Sequence, residues 1–298
     1  SDKTDASLKD YTSLKNTIID FENEVNSNLM VNDIFDEVWC EDFESWLRKK
    51  RKKGSITDGL LGNRTIKKRF ACLKHFARKL KRHHIQIDDP SPLFEHHVSV
   101  QRTVIDTMKI EEVNELYRFN PKSKKLERVR DLWVFACHTG LRWEDLVRIR
   151  KKHCRPHKNG FLLKKIPHKA RNEEEPKAFR VPMTDTALEI FKKYNYCLDL
   201  ITQQKANMYI KELLTSTGIF EEETDKLSKK SGMLLKRREY FSFHDARRTF
   251  ITNLINNNVS MNNVMSMTGH KLVRTLQTYI DPDVDVDMSH TNILDRIK

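Results

Sequence analysis

The sequence contains few of the residues that interrupt regular structure. Glycine and proline each occur only 8 times among 298 residues, whereas proteins rich in turns use both often. Apolar residues recur at intervals of three and four, which is the period of an α-helix. Two segments read as short strands, GFLLKKI (160–166) and AFRVPM (178–183), joined by a polar, acidic connection. We therefore predict a mainly α fold with a small β-hairpin, an α+β protein in which strands are few.

Cysteine is also scarce, and no two cysteines form a CxxC pair. An odd number of widely spaced cysteines indicates reduced thiols in an intracellular protein, with neither a disulfide framework nor a zinc site: Cys40, Cys72, Cys137, Cys154 and Cys197. No apolar run approaches the roughly 18 residues of a membrane span, and no signal-peptide pattern opens the chain. We expect a cytoplasmic protein that needs no metal or other cofactor and has no membrane partner. The chain begins with Ser1 rather than Met, and the question whether a further domain precedes it in the natural protein stays open.

Positive charge is abundant. Lys and Arg number 55 against 42 Asp and Glu, which gives a formal net charge of +13. A surface this basic favours a polyanion over a neutral metabolite or an acidic protein. We therefore expect a nucleic acid as the partner and, inside a cell, association with the nucleoid.

The length allows two domains at about 100–200 residues each. The stretch 88–100 (DDPSPLFEHHVSV) has two prolines and no helical period, so we interpret it as a linker between a helical domain (1–87) and a second domain (101–298). One helix of the first domain turns Ile66, Phe70, Leu73, Ala77 and Leu80 inward. Its basic residues lie elsewhere on the helix and follow the basic run RKKRKKGS; we predict that they face DNA, the alternative being a solvated surface: Lys67, Lys68, Lys74 and Arg78.

The second domain carries the residue types of a catalytic site. Arg142 follows Gly140 at the start of a helix, where the helix dipole disfavours a cation unless an acid pairs with it or an anion binds there. Asp145 is the candidate acid, and both alternatives stay open. In FHDARRTF, His244 and Arg247 are three residues apart and share one helix face. Later residues add His270 after Gly269, and then Tyr279 on a last short helix.

These segments, in this order, resemble the tyrosine recombinases, also called phage integrases. That family has an arginine in TGLR, a lysine in a β-hairpin, an HxxR box, a histidine in a GH turn and a tyrosine nine residues later. The matching residues here are Arg142, Lys169, His244, Arg247, His270 and Tyr279. NRTIKKRFACLKHFARKLKRHHI resembles the family's helical core-binding domain, so the likeness covers nearly the whole chain.

The sequence departs from the family at a few positions. Ala246 and Arg248 stand where many members have leucine and histidine, and Thr268 replaces the commoner leucine before Gly269. We include Arg248 among the candidate DNA-binding residues. The hairpin connection is longer than usual and offers rival catalytic lysines: Lys164, Lys165 and Lys177.

The resemblance implies a site-specific recombinase with a helical core-binding domain and a mixed, mostly helical catalytic domain. It implies that Tyr279 attacks a DNA phosphodiester, forming a 3′-phosphotyrosine, and that strands exchange through a Holliday junction without metal or ATP. An ordinary tyrosine has a pKa of about 10, so attack needs a nearby base or cation. The expected partner is double-stranded DNA, bound by a synaptic homotetramer that is monomeric when free, with possible DNA-bending accessory proteins. Two alternatives remain: a type IB topoisomerase and a catalytically silent DNA-binding protein of this fold.

The C-terminal tail, DVDVDMSHTNILDRIK, is too apolar for a free end and too short for a core of its own. We expect it to pack either on its own domain or, as the resemblance suggests, on a neighbouring subunit.

Overall fold

The computed structural model describes residues 5–25, 29–50, 60–100, 106–158, 160–227 and 233–279. It divides into two compact units: Ser1–Thr103 with Leu227–Met233, and Val104–Lys226 with Leu234–Lys298. Most of the basic run RKKRKKGS and the whole tail after Tyr279, for which the sequence raised expectations, lie outside the described residues.

The first unit is helical. Its elements are α1 (Asp5–Val25), a 3-10 helix (Asp33–Phe35), α2 (Glu37–Lys49), α3 (Asn63–Arg82) and α4 (Ser91–Glu95). The apolar stripe predicted for α3 is buried at all five positions, from Ile66 to Leu80. It faces an aromatic cluster in which Phe43 stacks on Trp39 and packs edge-on against Phe21 and Phe70. Helical periodicity located this core because apolar side chains every third or fourth residue lie on one helix face.

The segment that the sequence suggested as a linker takes part in this core. Residues 91–95 form α4, and Leu93 and Val98 are buried in the first unit. The Nζ of Lys74 donates to the carbonyl oxygens of Phe94 at 3.0 Å and His96 at 2.8 Å. A helix of five residues is too short to show a period, and its proline-rich start resembles a loop.

The second unit is built around one central helix. Its helices are α5 (Ile110–Arg118), α6 (Lys124–Thr139), α7 (Trp143–Leu146), α8 (Asp185–Lys193), α9 (Gln203–Thr217), α10 (Arg237–Tyr240), α11 (Phe243–Asn256), α12 (Met261–Thr268) and α13 (Val273–Leu276). Three 3-10 helices span Lys151–His153, His168–Ala170 and Gln277–Tyr279. Helix α6 is buried along most of its length and packs against α5, α8, α9 and α11. Its C-terminal end and α11 together position the candidate site.

The strands are β1 (Cys154–His157), β2 (Gly160–Lys165), β3 (Phe179–Met183), β4 (Glu223–Leu227) and β5 (Leu234–Lys236), and all their residues except Leu227 belong to the second unit. The predicted hairpin is confirmed as β2 and β3, which pair antiparallel with Leu163 opposite Val181. Strand β1 extends it into the order β1-β2-β3, and β4 pairs with β5. Neither β1 nor the β4–β5 pair was predicted. Strand β1, CRPH, contains a proline and is polar, as an edge strand allows, and so lacks the apolar alternation of a buried strand.

Helices α6, α11 and α12 end in left-handed backbone. Gly140 ends α6 with a φ of 62°, and Gly269 ends α12 with a φ of 67°. Asn258 has a φ of 57° after α11. The amide of Val259 donates to the carbonyl of Leu254, and the amide of Asn258 donates to the carbonyl of Ile255, which are the paired bonds of a Schellman motif.

Gly140→Ala should destabilise the protein by about 2–5 kcal/mol. A β-carbon at this position would lie 2.3 Å from Cδ1 of Phe250, so the cost of left-handed backbone adds to that of overpacking. The matched control is Gly218→Ala, since Gly218 has a φ of 70° with nothing within 4 Å of the added carbon. It should cost only about 1–2 kcal/mol. Urea unfolding measures both, and equal losses would contradict the predicted clash.

Candidate active site

Arg142 lies at the N-terminus of α7, and its guanidinium has no hydrogen-bond or ion-pair partner among the described residues. The alternative that Asp145 pairs with it does not hold. One oxygen of the buried Asp145 carboxylate accepts from Lys165 Nζ at 2.9 Å and from the amide of His168 at 2.8 Å. Arg142 therefore keeps all its N–H donors at a helix N-terminus, where an anion is favoured.

Arg247 lies on α11 and is buried, with 3% of its surface exposed. Its Nη1 donates to the carbonyl of Gly140 at 2.7 Å and its Nη2 to the carbonyl of Thr268 at 2.6 Å. Burial and the positive charge of Arg142 lower the pKa of Arg247 to about 9, so it stays charged at neutral pH. Nη2 also lies 3.3 Å from Nε2 of His270, which leaves two of the five N–H donors, one on Nε and one on Nη1, without an acceptor among the described residues.

The carboxylates nearest to these arginines are engaged elsewhere. Asp145 is bound by Lys165, and Asp245 accepts from Arg248 Nη1 at 2.7 Å. The other oxygen of Asp245 accepts from the Ser242 amide and hydroxyl, which caps α11. A buried charge without a counter-ion is costly, so the buried Arg247 favours an anionic ligand, and the partly buried, unpaired Arg142 adds to the positive charge there.

His270 follows the left-handed Gly269 and lies beside Arg247. Its Nδ1 is 2.8 Å from the hydroxyl of Thr268, and Arg247 Nη2 is 3.3 Å from its Nε2. Partial burial, together with Arg247, Arg142 and His244, lowers the pKa of His270 to about 4. The ring is therefore a neutral imidazole at physiological pH.

His244 and Tyr279 complete the constellation. His244 lies on the exposed side of the first turn of α11, where partial loss of hydration and the charge of Arg248 lower its pKa. Tyr279 is half-buried on the last 3-10 helix, which packs against α11. It lies close enough to Arg247 and Arg248 for its charge to affect their pKa values. The structure thus brings together five predicted site residues: Arg142, His244, Arg247, His270 and Tyr279.

Lys169 lies in the 3-10 helix His168–Ala170 and its side chain is exposed. The backbone on either side is tied to the site. The amide of His168 donates to Asp145, and a β-carbon on Gly269 would lie 3.4 Å from Pro167. Farther along the connection, Glu173 pairs with Lys271, the residue after His270. Among the rivals, Lys165 is held by Asp145, whereas Lys164 and Lys177 are exposed.

The candidate DNA-binding residues have different surroundings. Lys67 and Arg78 are exposed on α3, and Arg78 lies over the ring of Phe94. Lys68 pairs with Asp10 at 2.7 Å, and Lys74 is bound to two backbone carbonyls. Arg248 pairs with Asp245. Of the five, Lys67 and Arg78 are therefore the best candidates to bind a phosphate, because the charged groups of the other three already have partners.

Sequence reasoning missed how the site is supported. It noted Thr268 only as a departure from the family, whereas the structure places both its carbonyl and its hydroxyl on site residues. It named Asp145 only as a partner for Arg142. The bond from Asp145 to the hairpin could not be predicted, because it joins residues 23 positions apart in sequence.

The chain matches the phage integrase family over residues 106–285 and the phage integrase SAM-like domain over residues 1–98. It therefore belongs to the phage integrase family, the tyrosine recombinases, and is a DNA-binding protein of DNA recombination.

Similar proteins are recombinases. Tyrosine recombinase XerD of Staphylococcus haemolyticus (strain JCSC1435) is 25% identical over 234 residues, which cover 76% of this chain and 74% of that protein. The fold is similar to that of lambda integrase (75–356) bound to a core site, with a TM-score of 0.64 at 14% identity, covering 95% of this chain and 91% of that one. It is also similar to XerH bound to its difH substrate, with a TM-score of 0.62 at 15% identity, covering 97% and 79%.

Among the described residues, no three or more His, Cys, Asp or Glu side chains are grouped so that they could hold a metal ion. None of the described helices is long and apolar enough to cross a membrane.

The lowered pKa of His270 predicts a pH dependence of stability. Its pKa is about 4 in the folded protein and about 6.5 when unfolded, so the unfolded state binds more protons between these values. Stability should fall as pH is lowered through this window. His270→Gln should lessen the loss between pH 7 and pH 5 by about 1 kcal/mol, allowing for solvent screening of a partly exposed ring. Urea unfolding at both pH values tests this, and an unchanged loss would contradict a neutral His270.

Proposed function

We propose that this protein is a site-specific recombinase that cleaves and rejoins duplex DNA through a covalent 3′-phosphotyrosine at Tyr279. The observation that carries the proposal is the pair Arg142 and Arg247, which lie beside Tyr279 without a carboxylate partner among the described residues. A phosphodiester supplies the negative charge that this site lacks. Forked guanidinium donors match its two non-bridging oxygens.

Cleavage then proceeds in one step. The Tyr279 oxygen forms a bond to phosphorus while the bond from phosphorus to the 5′ oxygen breaks. The phenol proton passes to His270, and Lys169 donates a proton to the leaving 5′ oxygen. Negative charge grows on the non-bridging oxygens during this step, and they accept hydrogen bonds from Arg142, Arg247 and His244. Removing one such donor typically raises the activation barrier by about 3–4 kcal/mol.

The reverse of this step rejoins DNA. The phosphotyrosine bond keeps the free energy of the broken phosphodiester, so a 5′-hydroxyl of another strand can attack it and release Tyr279. Two rounds of such exchange pass through a Holliday junction and need two duplexes held together, for which we propose a homotetramer. Solved complexes of XerH and lambda integrase with DNA support duplex DNA as the partner.

Tyr279→Phe should bind DNA with unchanged affinity and form no adduct that survives boiling in detergent, because the ring remains while the attacking oxygen is gone. The assay is trapping on nicked substrates, followed by denaturing electrophoresis. Tyr240→Phe is the matched control, since the Tyr240 hydroxyl lies 3.4 Å from Arg248 on the same helix as Arg247. It should form adduct normally.

The outcomes of this assay separate the possible functions. A normal yield of adduct from Tyr279→Phe would disprove the assigned nucleophile. Relaxation of supercoiled plasmid by the unsubstituted protein without a defined site would indicate a topoisomerase. DNA binding with no adduct at all would indicate a silent DNA-binding protein.

Reversing charge at Lys67 and Arg78 together should weaken DNA binding and flatten its salt dependence. Each phosphate contact contributes about 0.9 to the slope of log K against log salt, so the slope should fall by about 1.8. Lys74 is left intact because its bonds to residues 94 and 96 are structural. The charge-matched control reverses the exposed Lys124 and Arg128. Lys124 lies about 24 Å along α6 from Gly140, so the control slope should change less. Equal slopes in the two double variants would show that α3 is merely solvated.

A further inference from the structure

Thr268 is the last residue of α12 and is buried, with 1% of its surface exposed. Its hydroxyl oxygen lies 2.6 Å from the carbonyl of Val264, one helical turn earlier, and 2.8 Å from Nδ1 of His270. One side chain therefore connects the helix backbone to the imidazole.

Counting hydrogens in this chain of contacts determines the tautomer of His270. A threonine hydroxyl has a single hydrogen, and a carbonyl oxygen can only accept. The hydrogen of Thr268 therefore points at Val264, and the hydroxyl oxygen is left to accept. The contact at 2.8 Å is then a hydrogen bond only if Nδ1 carries the proton. Because the ring is neutral, its lone pair lies on Nε2.

Arg247 makes only a long contact with that lone pair. Its Nη2 lies 3.3 Å from Nε2 and 3.5 Å from Nδ1, nearly equidistant from the two nitrogens. The shorter bond of Nη2, 2.6 Å, goes to the carbonyl of Thr268. Nε2 can therefore exchange this long contact for the proton of a donor on the reacting side.

Charged groups around the ring influence whether His270 is protonated. Arg247 and His244 face it from α11, and Arg142 faces it from the turn between α6 and α7. Together they keep the imidazole neutral while no anion is present. A bound phosphodiester would offset the two arginines and favour the imidazolium, which keeps its Nδ1–H bond to Thr268. Substrate binding would thus strengthen His270 as a base.

We infer that Thr268 is a positioning residue: its hydroxyl holds His270 in the Nδ1–H tautomer, so that Nε2 faces the reaction as the acceptor of the Tyr279 proton. The inference deepens the proposed function and rests on it for the identity of the proton donor. The tautomer itself follows from the contacts of Thr268 alone.

Two variants separate the hydroxyl from packing. Thr268→Val keeps the shape of the side chain and removes the acceptor, whereas Thr268→Ser keeps the acceptor and removes a methyl group. Long-range nitrogen–proton NMR of the imidazole in the free protein reports the tautomer without any catalysis. The Nδ1–H form should dominate in the unsubstituted protein and in Thr268→Ser, and should lose its dominance in Thr268→Val. Dominance of the Nδ1–H form in Thr268→Val would overturn the inference.

Single-turnover cleavage gives the functional readout. Thr268→Val should cleave about 10- to 100-fold more slowly at unchanged DNA affinity, within the range of proton-transfer catalysis, and Thr268→Ser should stay within about threefold of the unsubstituted protein. The slow rate of Thr268→Val should rise with pH as more phenolate forms. The defect should persist on DNA in which sulfur replaces the leaving 5′ oxygen, since that group needs no proton to depart. Rescue of Thr268→Val by this substrate, or an equal defect in Thr268→Ser, would overturn the inference.

The two proposals fail in different ways. If the unsubstituted protein forms no covalent adduct with any DNA, the proposed function is wrong, while the NMR comparison still decides whether Thr268 sets the tautomer. If adduct forms normally but both variants share one tautomer and one rate, the proposed function stands and the role of Thr268 is wrong.

Discussion

The site depends on one buried guanidinium. The guanidinium of Arg247 donates to the carbonyls of Gly140 and Thr268, so a single side chain connects the end of α6, the second turn of α11 and the end of α12. Both carbonyls are at helix C-termini, where backbone oxygens lack intrahelical partners and the dipole favours a cation. This satisfies Arg247 without neutralising it. The residues after the two helix ends, Arg142 and His270, then reach the same place because the left-handed Gly140 and Gly269 turn the chain there.

Charge in this region is arranged to leave the arginines unpaired. Asp145 and Asp245 are both buried and lie on the same two elements as Arg142 and Arg247, yet Lys165 and Arg248 take their oxygens. Had either acid bonded Arg142 or Arg247, a phosphodiester would have to displace a carboxylate before binding. Each acid instead organises backbone: Asp145 holds the hairpin through the amide of His168, and Asp245 caps α11 through Ser242.

Much of the fold could be predicted because it is determined by residues that are close together in sequence. In the α3 stripe from Ile66 to Leu80 each apolar residue lies three or four positions from the next, and β2 and β3 are each recognisable as a short strand from their own residues. Contacts between distant segments could not be read in the same way. Lys74 looked like one more cation on a basic helix, and only the three-dimensional path of residues 94–96 shows that it is a structural donor. The grouping of Arg142, His244, Arg247, His270 and Tyr279 was anticipated from family resemblance rather than from periodicity, which carries no information on distances between elements.

The choice of the catalytic lysine in the hairpin connection needs both the sequence and the structure. Four lysines lie between residues 164 and 177, and nothing local distinguishes them. In the structure these lysines differ in their partners and in their position relative to the site. Lys165 is committed to Asp145, and Lys164, its neighbour on β2, points to the opposite face because side chains alternate along a strand. Lys169 follows directly on His168, whose amide donates to Asp145, and on Pro167, whose ring lies beside Gly269. A general acid must act at a defined distance from the leaving oxygen, so an uncommitted lysine on backbone anchored to the site is a better donor than Lys177, eight residues farther along the connection.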